Sequence, residues 1–126
     1  METKTTKIIY WALLILFCLF HIADAIGGLA KVQAGIDAMH IMGYPVYLMT
    51  FLSTAKLLGV VALLQNKFIT IKEWAFAGFS FTLIGAAVSH ACVNDKIAFV
   101  VMPLIFLAIL FAIYYCWRKL YQIKIA

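Results

Sequence analysis

Five ionisable side chains stand in or beside the long apolar stretches of this chain, where charge is expensive and a partner or a function is the default explanation. His21 and Asp24 lie three residues apart, Lys56 stands inside a second stretch, and Glu73 and His90 bracket a third. Lysine, carboxylate and imidazole together can hold a polar ligand, relay a proton, or lock two helices through an ion pair. Lys56 is the hardest to explain as inert, since a lysine near mid-span costs about 3 kcal/mol unless it pairs or snorkels.

Depth turns these residues into geometry. Lys56 follows Pro45 by 11 residues, so its backbone lies roughly 16 Å below the start of its helix, while Asp24 and His90 lie within about 5 Å of their helix ends. Helical side chains lean toward the helix N-terminus, and the Lys56 stem therefore reaches back to that level. The expectation is a polar cluster of Lys56, Asp24, His21 and His90, with Ser53 one turn from Lys56 and Gly59 making room on the same face. The bland alternatives are equally concrete. Asp24 and His90 can be wetted at the interface, His21 can bond a backbone carbonyl, and Glu73 suits the first turn of a helix because the macrodipole favours an acid there.

The elements that position these residues are read from composition. Of 126 residues, 67% are hydrophobic and 12% charged, whereas soluble domains carry about 25% charged residues. Apolar stretches at 8–26, 44–64, 74–92 and 97–117 each approach the roughly 20 residues that cross about 30 Å of hydrocarbon. The expected fold is an all-α membrane protein with one integral membrane domain over 1–126: a four-helix up-down-up-down transmembrane bundle with a short interfacial amphipathic helix between helices 1 and 2. The fourth span contains Pro103, which removes a backbone hydrogen bond and is expected to kink it.

With four spans, Lys4, Lys7, Lys67, Lys72, Arg118, Lys119 and Lys124 share one side and Lys31 and Lys96 the other, which predicts that both termini are cytoplasmic. The net charge of +5 is then accounted for by topology and anionic lipid, with no nucleic-acid partner. Basic residues, the apolar run 8–20 and Ala23-Asp24-Ala25 imitate a cleavable signal peptide. Retention is the expectation, because cleavage would leave three spans and spoil the charge asymmetry.

Between spans, Gly27-Gly28 suits an exit turn. Over 32–42, Val32, Ile36 and Met39 form one helical stripe and Gln33, Asp37 and His40 another, the pattern of an interfacial helix. Gly43-Tyr44-Pro45 is a hinge: a glycine free to take positive φ, an interfacial tyrosine, and a proline near a first helical position. Residues 65–71 and 94–96 are short connections, so successive helices are antiparallel neighbours. In the third span Ala75, Gly78, Thr82, Gly85, Ser89 and Cys92 fall on one stripe. Small residues in lipid let backbones approach closely, so the stripe is expected to be a packing seam.

Cys18, Cys92 and Cys116 are isolated and expected to be unpaired apolar thiols. His21, His40 and His90 lack metal-site spacing, and no metal is expected. Tyr10, Trp11, Trp74, Tyr114, Tyr115 and Trp117 fall near the cytoplasmic helix ends and are expected to form an interfacial belt.

Gly43-Tyr44-Pro45, Ala55-Lys56-Leu57-Leu58-Gly59, the run Lys72-Glu73-Trp74-Ala75-Phe76-Ala77-Gly78-Phe79, Gly85-Ala86, Ser89-His90 and Asp95, in this order, resemble the DoxX-like family of small four-helix membrane proteins. The resemblance covers about 43–103, with a loose match in the first helix. It implies a multi-pass protein of a bacterial cytoplasmic (inner) membrane, with Tyr44, Pro45, Lys56, Glu73, Trp74 and His90 as motif positions. The wider grouping takes its name from a subunit linked to thiosulfate oxidation with quinone as acceptor, and other members resemble partners of redox or stress-response membrane complexes. The function expected is that of a non-catalytic accessory protein, or of a bundle whose outer-half cluster binds a small amphiphile, lipid or quinone. The alternative is a subunit of a quinone-linked oxidoreductase in which Lys56 and His90 hold the quinone or relay protons. A third reading, a small-solute transporter, needs a homo-oligomer to enclose a pathway.

Overall fold

The structure is a computed structural model describing residues 2–125, with side chains described for 4–120. Five helices follow one another: α1 Glu2–Leu29, α2 Gln33–Met42, α3 Tyr47–Leu64, α4 Ile69–Cys92 and α5 Ile97–Ile125. All but α2 are long and apolar enough to cross a membrane. Each pairs with its successor in the bundle, and α5 closes the ring against α1. The result is an up-down-up-down bundle in which α1 faces α4 across the diagonal. The start of α1 and the end of α5 lie at one end, and α2 lies at the other.

The connections follow from local chemistry. Gly43 ends α2 with φ +77°, and Tyr44 N–H donates to Met39 O while Gly43 N–H donates to His40 O, the Schellman arrangement that a left-handed residue permits. In the α3–α4 link Gln65 makes a small turn of its own. Its side-chain amide donates to Ala62 O and Phe68 O, and its carbonyl oxygen accepts from Phe68 N–H at 2.7 Å. Asn94, with φ +54°, turns the chain between α4 and α5.

Three boundaries differ from the sequence expectations. α1 continues through Gly27-Gly28 to Leu29, and the exit turn falls at Lys31, with φ +53°. The glycine at 28 instead serves close helix approach: a Cβ there would lie 2.0 Å from Ser53 Oγ on α3. α4 starts at Ile69 rather than 74, which brings Lys72 into the helix, on the face shared with Ala75, Phe76 and Phe79. α5 runs past 117 to Ile125, with Pro103 inside it as expected.

The core is assembled from Leu14 and Phe17 of α1, Leu63 of α3, Phe79 of α4, and Leu110 and Ile113 of α5. Tyr10 and Trp117 belong to this core as well, a departure from the expected belt. Trp74 and Tyr115 do point outward. α2 buries no residue and touches α3, where Gly35 receives the end of the Met49 side chain.

Candidate functional site

The small-residue stripe on α4 faces α3 without closing on it. Cβ atoms built at Gly78 and Gly85 would meet nothing within 4 Å. Ala75, Gly78 and Thr82 of the stripe are thus the wall of a groove, and the tight helix contacts lie elsewhere, at Gly28 against Ser53 and at Gly59 against the Phe79 ring. The reason is side-chain volume. Phe79 fills the α3–α4 interface deep in the bundle and props the helices apart beside it.

This groove holds about 320 Å³ and is walled by Ala55, Lys56 and Gly59 of α3 and by Ala75, Gly78 and Thr82 of α4. Residues at spacing three and four on two antiparallel helices produce it directly. Leu58 and Trp74 at its rim are 69% and 71% exposed, so the groove opens sideways, toward lipid. It is therefore apolar and reachable from the bilayer, with one ammonium in its wall.

That ammonium is paired. Lys56 Nζ donates to Asp24 Oδ2 on α1, with the lysine side chain 20% exposed and the aspartate 49%. The remaining residues expected to join them do not share these contacts. Ser53 is buried against Gly28. His90 Nδ1–H donates to Asp95 Oδ2 at 2.9 Å within the α4–α5 turn, and its ring stacks on Phe99. The His90 hydrogen bond and the Lys96 N–H bound to Oδ1 hold the Asp95 carboxyl below its usual range. His21 turns inward among Phe17, Phe20, Phe79 and Phe106.

The motif residues have defined places too. The Tyr44 and Ser89 hydroxyls are 2.6 Å apart and tie the start of α3 to the far end of α4. Pro45 O accepts from Leu48 N–H as α3 begins. Glu73 accepts from Arg118 at 3.0 Å and lines a second groove of about 260 Å³ between α4 and α5, with Ser80 and Tyr114.

Lys72 was not legible as a site residue. It is fully buried, donating to the Tyr10 hydroxyl and, at 2.7 Å, to Asn66 Oδ1. Its ammonium lies 5.2 Å from the Tyr10 ring centroid and 5.3 Å from that of Trp117. One signal for it exists in the sequence: starting α4 at Ile69 puts Lys72 three, four and seven residues before Ala75, Phe76 and Phe79, on the buried face. Among the described residues no group of three or more His, Cys, Asp or Glu side chains is placed to hold a metal ion.

The family model of the DoxX-like family matches residues 12–113, from the third turn of α1 to just past the middle of α5. The chain belongs to the DoxX-like family. The match includes most of α1, which the motif residues alone left loosely placed. No curated protein and no solved structure matches the chain. This DoxX-like chain is thus a small integral membrane protein whose two grooves and Lys56–Asp24 pair are described by its own geometry.

Proposed function

We propose that this DoxX-like protein is a non-catalytic binding or accessory bundle that takes an apolar molecule with a polar head from the bilayer into the α3–α4 groove. Lys56 donates to the polar head of the occupant. The supporting observation is the presence of Lys56 in the groove wall: its bond to Asp24 uses one of three ammonium hydrogens. A volume of about 320 Å³ sits at the lower end of the range for small-molecule sites, roughly 300–1,000 Å³. Family membership supports a bacterial cytoplasmic membrane, and the distribution of basic residues supports both termini inside.

Mass spectrometry of the purified protein tests this reading. A small amphiphile, such as a lipid or a quinone, copurifies with the wild type and is depleted in Gly78→Leu, whose side chain enters the open groove, since a Cβ at Gly78 meets nothing within 4 Å. Equal occupancy in the two proteins sinks the proposal. A copurified quinone that is reduced on adding an electron donor would move the reading to the oxidoreductase subunit.

A further inference from the structure

His21 is 2% exposed, and among the described residues its two ring nitrogens are the buried side-chain polar atoms that have no hydrogen-bond partner. Such a group bears its full desolvation cost, and a native fold that keeps one does so for a reason. The ring centroids of Phe17, Phe79 and Phe20 lie 4.3, 5.0 and 5.4 Å from that of His21, and Phe106 closes the cage at 6.0 Å.

Phe79 also has a second neighbour. A Cβ at Gly59 would come within 2.7 Å of its Cε2 and 3.0 Å of its Cζ, and Phe79 is part of the α3–α4 groove wall. One phenyl ring therefore stands between the groove and the imidazole. Gly78, the residue before Phe79, lines the same groove, and a Cβ there would meet nothing within 4 Å, so the groove is open at that point.

We propose that His21 is a second polar contact of the groove, reached when Phe79 turns toward Gly78, and that the occupant is an uncharged long-chain alcohol or phenol. This rests on the groove-binding reading above and names the class of its ligand. A neutral imidazole offers one donor and one acceptor, whereas Lys56 only donates. A hydroxyl accepts from the lysine and donates to the bare imidazole nitrogen; a ketone cannot donate. A carboxylate would add an uncompensated negative charge beside a Lys56–Asp24 pair that is already neutral.

The test uses the full chain in detergent, labelled with ¹⁵N-histidine, with the His21 imidazole signals assigned by their loss in His21→Leu. That variant places an apolar side chain in a phenylalanine cage and is expected to fold. Two probes are added: 1-hexadecanol for the imidazole spectrum, and a diazirine-bearing hexadecanol whose adducts are mapped by mass spectrometry. Adducts on α3 and α4 peptides, together with a hexadecanol-dependent shift of the His21 nitrogens, are expected. His21→Leu weakens hexadecanol binding roughly fivefold, the worth of one hydrogen bond, and Gly78→Leu, which fills the open groove, abolishes both signals. Adducts without a His21 shift overturn this inference and leave groove binding standing. An equal shift with palmitate overturns the choice of a hydroxyl, and no adducts on α3 or α4 overturn both readings.

Discussion

Lys72 on α4 donates a hydrogen bond to the phenol oxygen of Tyr10 on α1, joining two helices that face each other across the diagonal of the bundle. With Asn66 from the α3–α4 link and the Trp117 ring from α5, one fully buried ammonium touches every wall at the terminal end. No carboxylate is among these partners. The charge is held by two oxygens and two π faces, which serve where a paired acid would otherwise be required.

Lys72→Met should therefore be strongly destabilising. It removes two charge-assisted hydrogen bonds and strands the Tyr10 and Asn66 polar atoms, a loss of about 2–4 kcal/mol. Tyr10→Phe removes one acceptor and should cost about 1 kcal/mol. Thermal unfolding in detergent ranks the two, and a double mutant that costs less than the sum of the singles confirms that they act on one interaction.

The Lys56–Asp24 pair predicts a smaller effect. Half of the aspartate side chain is exposed, and polar contacts between membrane helices average about 0.6 kcal/mol. Lys56→Met and Asp24→Asn should each lower the melting temperature slightly, by the equivalent of about 1 kcal/mol. An unchanged value in both would remove the pair as a lock between α1 and α3.

Glycine substitutions separate close approach from open groove. Gly28→Ala puts a methyl 2.0 Å from Ser53 Oγ, an overpacking that costs about 1–3 kcal/mol. Ser53→Ala in the same chain should restore much of it. Gly78→Ala and Gly85→Ala meet nothing within 4 Å and should leave the melting temperature unchanged or raise it, since alanine is the better helix former. Destabilisation at 78 or 85 would show that the stripe closes on another surface.

Asp95 gives the pH dependence its sign. Its carboxyl is held below the reference value of 3.8, first by the hydrogen bond from His90 and then by the Lys96 N–H. A carboxyl lowered on folding contributes stability above its unfolded value and loses it as pH falls through the folded one. Melting temperatures of wild type and Asp95→Asn should thus differ above pH 3.8 and converge below it. A gap that persists at pH 2 would assign the effect to something other than the ionised carboxylate.

What the sequence determined by itself is what depends on composition and local periodicity. Sustained apolar runs required four spans, because lipid offers backbone groups no other partner, and the two stripes over 32–42 marked the short helix α2. Gly43 was legible as a turn because only glycine takes its φ without cost. Depth arithmetic put Lys56 and Asp24 at one level, where the structure joins them. Tertiary structure decided the rest, since it depends on volumes arriving from other helices. Phe79 against Gly59 props α3 from α4 and turns a stripe of small residues into a groove. The helix rotation that buries Phe17 carries His21, one turn further, into the phenylalanine cage. Lys72, whose charge counted toward a solvated side in sequence, is buried because Tyr10, Asn66 and Trp117 converge on it from 62, 6 and 45 residues away.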